Sequence, residues 1–334
     1  MKNFSFRVLQ PALGLMLLMI VSLFSCKKAT NPIKYEFGTF PDSVYNLEGI
    51  NTAYDDYNST IHVLESSVPI IFSSNRASTG GQFDLVSGLI SYTFDQTNGK
   101  FTLSSEMSTD AFYAAIIAKA NTSGNDFGPY TIFNNKDGYE YLFLASQSGD
   151  NLDLFYERYL PRNGNTLPVI TGPLPLTRIN SANDDAYLTF NYPMDSLYFC
   201  SNRSGNFDIY VQPDTVLTPL STWLGQPYSA SYLVDSLNSS ADDKCPFIYK
   251  NVMVFASNRD GGLGGFDLYY SIFRNGKWSA PVNFGPGINT QYDEYRPVVG
   301  YDAGFTNRML IFSSNRPGGK GGYDLYFTGF TFPK

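Results

Sequence analysis

Apolar residues in this chain fall in short runs separated by glycine, proline, asparagine and aspartate, a pattern of many strands joined by tight turns. Five of these runs begin the same longer phrase. It reads IIFSSNRASTGGQFDLV from Ile70, LFLASQSGDNLDLFY from Leu142, LYFCSNRSGNFDIY from Leu197, MVFASNRDGGLGGFDLYY from Met253 and LIFSSNRPGGKGGYDLYF from Leu310. The closing aspartates, Asp84, Asp153, Asp208, Asp267 and Asp324, are separated by steps of 69, 55, 59 and 57 residues. Such a period marks an array of one supersecondary unit.

Each unit has an upstream half of the form N-[ST]-x-x-[DN]-[DE]: INTAYDDYN from Ile50, ANTSGNDFGPY from Ala120, INSANDDAY from Ile179, LNSSADDKCPF from Leu237 and INTQYDEYRP from Ile288. An apolar strand follows, then a turn, the F-x-S-N-R strand, a glycine hairpin and the D-L-Y strand. A fourth strand is clearest at KWSAPVNF, Lys277 to Phe284, entered through the Asn275-Gly276 turn. Four antiparallel strands per unit predict an all-β, five-bladed β-propeller, with six blades as the alternative count. The last unit stops soon after its D-L-Y strand, and IKYEFGTF (33–40) alternates as a strand does. The N-terminal strand is therefore expected to complete the last blade and close the ring. Composition agrees: 27 Phe and 25 Tyr against only 16% charged residues favour a β fold.

The order of these pieces resembles the WD-repeat-like propellers of Tol-type periplasmic proteins, over residues 41–334. That resemblance implies an envelope protein that binds other proteins. The N-terminus points to the same compartment. Lys2 and Arg7 precede an apolar run from Ala12 to Phe24, too short to span a bilayer, which ends in L-F-S-C at Cys26. This resembles a lipobox and implies a signal peptide over 1–25, diacylation of Cys26, a tether over 26–32 and one propeller domain over 33–334. Lys27 and Lys28 after the cysteine resemble an outer-membrane destination, expected at the periplasmic face with the cell surface as the alternative, and the membrane as partner through the lipid.

Charge and residue types narrow the chemistry. A net charge of −7 without a basic stripe argues against nucleic acid as a partner. One histidine, His62, and no cysteine–histidine cluster give neither a Ser-His-Asp site nor a zinc site. No cofactor is expected. Cys200 and Cys245 could pair or simply fill the core. The paired acids Asp55-Asp56, Asn125-Asp126, Asp184-Asp185, Asp242-Asp243 and Asp293-Glu294 could line the channel as carboxylates, or bind the repeated Arg76, Arg203, Arg259 and Arg316. Their repetition in every unit favours the structural role. Asp84, Asp153, Asp208, Asp267 and Asp324 are read as hairpin-capping acids, and the glycines of GGLGG and GGKGG as positive-φ residues of a wide hairpin. Trp223 and Trp278 either anchor a partner or fill gaps between blades.

The second unit departs most: Gln147 replaces the arginine, and Asp110–Ala120 adds a short helix or long hairpin, expected on a binding face. These readings converge on a non-enzymatic, lipid-anchored scaffold that binds an envelope protein. The alternatives are a glycan-binding lipoprotein of an uptake system, needing an asymmetric aromatic platform near the channel, and a carboxylate-dependent glycoside hydrolase.

Overall fold

The computed structural model describes residues 32–61, 67–213 and 219–332. After a two-residue strand β1 (Tyr45–Asn46), the chain forms five sheets in succession. Blade one is β2 (Asp56–Ile61), β3 (Ser67–Ser74), β4 (Asp84–Phe94) and β5 (Phe101–Met107). Blade two is β6 (Asp126–Asn134), β7 (Tyr139–Ser148), β8 (Asn151–Tyr159) and β9 (Thr171–Pro175). Blade three is β10 (Asp185–Phe190), β11 (Ser196–Ser201), β12 (Asp208–Pro213) and β13 (Tyr232–Leu233). Blade four is β14 (Asp243–Tyr249), β15 (Val252–Ser257) and β16 (Asp267–Arg274), its outer edge split into β17 (Lys277–Trp278) and β18 (Val282–Asn283). Blade five is β19 (Glu294–Gly300), β20 (Arg308–Ser314) and β21 (Asp324–Phe330), and β1 is its fourth strand.

The ring therefore closes as the sequence predicts, but through fewer residues. Tyr45 pairs with Phe327 and Asn46 with Tyr326, extended by Leu47 N–H to the Leu325 carbonyl (3.0 Å) and Gly329 N–H to that of Pro41 (2.6 Å). Residues 33–40 are not a strand. Lys34 and Tyr35 donate to the Gln96 carbonyl, and Gly38 makes one parallel bridge to Phe305. Burial of Phe40, stacked on Phe305 at 3.9 Å, fixes this segment under blades five and one in place of edge pairing.

Each inner strand carries a register shift two residues after its buried acid. There the backbone turns left-handed, at Asn58, Gly128, Tyr187, Cys245 and Arg296. A bulge re-aims one side chain, and these five positions meet across the ring: Asn58 Nδ2 donates to Tyr187 Oη at 3.2 Å, and the Arg296 guanidinium lies 5.6 Å from the Tyr187 ring centroid and donates to the Pro129 carbonyl at 2.9 Å. Gly128 has a steric reason to be glycine, because a Cβ there would enter the Tyr187 ring. The channel is thus plugged by Tyr187, Cys245 and the fully buried Arg296.

The Asp110–Ala120 insertion buries one face in the core. It is a helix, α1 (Ala111–Ala120), capped by Asp110, whose Oδ1 accepts the Phe112 N–H at 2.8 Å. Phe112, Ile116, Ile117 and Ala120 pack between blades one and two against Ile71, Leu85, Leu142 and Tyr159. Its apolar composition is core, filling the wedge where the second unit is longest. Glu157, opposite Leu142 on the same face of blade two, is fully buried with neither carboxylate oxygen hydrogen-bonded. Desolvation pushes its pKa up to about 8, against a smaller lowering by Lys119. The fold accepts the protonated acid, whereas the unfolded carboxyl ionises near ~4.3. Stability from this group is therefore complete at low pH and lost as pH rises through about 8. Thermal melts from pH 5 to 9 should show Glu157→Gln gaining several degrees on the parent at the alkaline end, with the advantage shrinking towards pH 5. A constant difference across that range would contradict a neutral buried carboxyl.

Candidate functional site at the channel mouth

The repeated polar residues build the mouth. Asp56 accepts Thr52 N–H (2.6 Å), Ser74 Oγ (2.5 Å) and Arg76 Nη2 (2.5 Å), and Arg76 also donates to the Ile50 carbonyl. The same clamp joins Arg203 to Asp185, Arg259 to Asp243, and Arg316 to Glu294 (2.9 Å). Each of these arginines also lies over the Phe of its own F-x-S-N-R strand. Blade two has no arginine: Gln147 Oε1 accepts from Asn125 instead, and Asp126 keeps only Thr122 and its hydroxyl neighbours. Burial raises the Asp126 pKa.

The residue before each of these acids does a different job. Asp55, Asn125, Asp184, Asp242 and Asp293 each accept a backbone N–H from the neighbouring blade, from Tyr323, Phe83, Leu152, Phe207 and Phe266 respectively, at 2.8–2.9 Å. These are five equivalent staples across five seams. Of the hairpin aspartates, Asp267 accepts Leu263 N–H and Asn283 Nδ2, and Asp324 accepts Lys320 N–H and Asn46 Nδ2. Asp208 holds Ser204 and Asp84 holds Gln82. Asp153, in the divergent blade, has its pKa raised by desolvation and then by Asp185 and Asp184.

The glycine strings need a second explanation beyond positive φ. Gly261 and Gly318 are left-handed, but Gly264 and Gly321 are not. A Cβ on Gly264 would run into the Tyr292 carbonyl, and one on Gly321 into that of Tyr54, while Gly265 and Gly322 abut Asp293 and Asp55. These glycines let one blade's hairpin lie against the next blade's loop.

Aromatic rings stand on this frame in two non-equivalent groups. On one side Tyr57 contacts Phe83 (5.1 Å), Phe127 (5.9 Å) and Tyr323 (5.6 Å) between ring centroids. On the other, Lys244 Nζ lies 4.0 Å over Phe207 and 5.5 Å over Phe266, which meets Tyr295 edge-on at 5.2 Å. Between them Tyr57, Tyr187, Phe266, Tyr295 and Tyr323 line a depression of about 350 Å³ with Asp293 in its wall. Blade three contributes only the small, buried Ala186 where its neighbours place rings or Lys244, so the ring is broken on that side. Asp293 accepts from Phe266 N–H, Asn315 Nδ2 (2.9 Å) and Tyr323 Oη (2.7 Å). The same Tyr323 donates its N–H to Asp55, so one tyrosine is flanked by two carboxylates from adjacent blades. Desolvation first, and then the bond to Asp293, push the Tyr323 pKa up and keep it a proton donor. The aromatic residue just before four of the five repeated aspartates (Phe83, Phe207, Phe266, Tyr323) is a sequence signal for this mouth, which blade two lacks at Leu152.

Other candidates settle elsewhere. Cys200 and Cys245 are free, buried thiols, Cys200 Sγ donating to the Ala186 carbonyl. Trp223 and Trp278 are only 3% and 8% exposed, as gap-filling residues are. His62, Cys26 and the segment 1–25 lie outside the described residues. Among the described residues no group of three or more His, Cys, Asp or Glu side chains is arranged around a metal position.

No family model matches the chain, and no curated protein matches it. Solved structures do. An endo-arabinase from Bacteroides thetaiotaomicron superposes with a TM-score of 0.54 at 13% identity, covering 89% of this chain and 98% of that one. A thermostable family-43 glycoside hydrolase gives 0.53 at 13%, covering 87% and 94%. An α-L-arabinofuranosidase from Podospora anserina, solved with cellotriose, gives 0.50 at 15%, covering 90% and 98%. At these identities the likeness establishes the five-bladed fold. It also corrects two expectations. The similar propellers are glycoside hydrolases and not the WD-repeat-like Tol-type proteins the motif order suggested, so the resemblance behind the non-catalytic scaffold and the expected absence of enzyme activity no longer supports either.

Proposed function

We propose that this chain is a carbohydrate-active propeller of glycoside-hydrolase type, with its glycan lying across the channel mouth. The observation that carries this reading is the broken aromatic ring around a 350 Å³ depression with Asp293 in its wall. Ring faces suit the C–H faces of sugars, and a few fixed polar groups set orientation. Glycosidic cleavage uses two carboxyl groups on either side of the bond. We assign Asp293 and Asp55, which flank Tyr323, to those places. The names of the similar structures make arabinose-containing glycans the first substrates to test. Purified protein incubated with arabinan and arabino-oligosaccharides should release reducing ends. Asp293→Asn and Asp55→Asn should each cut the rate about 100-fold, the size expected for loss of an acid–base group. Full activity in both variants would remove the assignment, and no release from any substrate by the parent would remove the hydrolytic reading.

Attachment to the outer membrane through a diacylated Cys26 belongs to the same proposal and rests on the L-F-S-C string. Labelled palmitate should enter the parent expressed in a bacterial host and not Cys26→Ala. Equal labelling would refute the anchor.

A further inference from the structure

The strand ends opposite the channel mouth carry a second concavity of about 620 Å³, between blades three and four. It is formed by the turns joining β10 to β11, β14 to β15 and β16 to β17. Its wall is a stair of rings. Phe273 and Trp278 pair across the strands with centroids 5.0 Å apart, and Trp278 meets Tyr198 edge-on at 5.9 Å. The indole N–H donates to Tyr198 Oη at 3.4 Å, which fixes the tryptophan's orientation. Phe273 is 38% exposed and presents the open part of the stair.

Tyr192 also lines this concavity. It is 80% exposed and makes no hydrogen bond or ring contact among the described residues, yet its turn is locked. Asn191 Oδ1 accepts both Asp195 N–H and Ser196 N–H at 3.0 Å, and Asn191 Nδ2 donates to Asp195 Oδ1 at 2.5 Å. Pro193 restricts the Tyr192 backbone further. A large ring held in water on a rigid turn does nothing for the core; it is preorganised for a ligand. Asp195 spends one oxygen on Asn191 and Ser196 and leaves the other free to accept hydroxyl groups. Lys250 Nζ lies 5.4 Å over the rings of both Tyr249 and Tyr301, so its charge is already engaged. A free carboxylate oxygen beside an occupied cation, on a chain of net charge −7, disfavours anionic ligands.

The geometry points to a second carbohydrate site here, taking a neutral pyranose between Tyr192 and the Phe273–Trp278 stair, with hydroxyl groups on Asp195. It is separate from the channel mouth and stands whether or not that mouth hydrolyses anything. Two sites at opposite ends of the blades would let the protein hold a polysaccharide away from the place where it is acted on.

Trp278 lines this concavity and Trp223, the other tryptophan, is buried in a different cluster, so indole emission reports on the site. Titrating the full chain with cellotriose and with xylotriose should give a saturable change in emission. Tyr192→Ala, at so exposed a position, should fold as the parent does and weaken that binding about tenfold or more, leaving the rate of arabinan hydrolysis unchanged. Phe273→Ala should weaken it similarly. The site is refuted if neither sugar alters the emission at millimolar concentration. It is also refuted if the change survives both substitutions but disappears in Tyr295→Ala, which would put the sugar at the mouth.

Discussion

Gly321→Ala should cost about 3 kcal/mol or more and lower the melting temperature by roughly 5–10 °C, although the change adds one methyl group on the protein's rim. The added Cβ would fall inside contact distance of the Tyr54 carbonyl oxygen, with the Thr52 carbonyl close behind. Neither obstacle is a flexible side chain, so the hairpin or the loop of blade one must move. Movement there pulls on Tyr323 N–H to Asp55 and Asp56 N–H to the Tyr323 carbonyl, the bonds that hold the last blade to the first. That seam is special because no peptide bond crosses it except through the short β1. Gly264→Ala repeats the clash, against Tyr292, at the seam between blades four and five, where the chain itself continues. Gly287→Ala is the control, since nothing lies within 4 Å of its Cβ. Calorimetry of the three variants, with amide exchange at Tyr45 and Asn46, checks the argument. A Gly321→Ala melt within a degree of the Gly287→Ala melt would show that the seam tolerates the methyl group.

The same glycines show how far the sequence could be read. Their spacing in GGLGG and GGKGG marks a wide hairpin, but half of them are there for a contact with the following blade, which periodicity cannot display. Blade count, strand order and ring closure were legible because each is stated five times or completed by a missing piece. The channel plug was not. Asn58, Gly128, Tyr187, Cys245 and Arg296 occupy one structural position with five unrelated side chains, so a search for what repeats passes over them. The core role of the α1 insertion was hidden for the opposite reason. It breaks the repeat, so periodicity says nothing of the core that Phe112, Ile116 and Ile117 fill in the wider wedge. The mouth falls between these cases: some of its rings sit directly before the repeated aspartates and others directly after the paired acids, but only the fold brings the two series together around one depression.

The repeated acid–arginine clamp makes the other large prediction. Asp243→Ala should cost about 3–5 kcal/mol, because it strands a largely buried guanidinium. Arg259 would keep Ser257 Oγ (2.9 Å), the Leu237 carbonyl (2.6 Å) and the faces of Phe255 and Tyr269, none of which carries a full negative charge. Ser239 would lose the acceptor for both its N–H (2.6 Å) and its hydroxyl (2.9 Å). Arg259→Met should be milder, since Asp243 retains those two donors and the methionine stem still covers the rings. The double variant should then cost less than the sum of the singles by about 1 kcal/mol or more, the mark of direct contact. Blade two is the internal comparison. Asp126 has no arginine, and the side-chain amide introduced by Asp126→Asn would still offer an oxygen to Thr122 N–H, so that substitution should cost about 1 kcal/mol. Denaturant titrations of the four variants decide the matter. Equal losses for Asp243→Ala and Asp126→Asn would mean that the buried acid, and not its pairing with arginine, is what each blade requires.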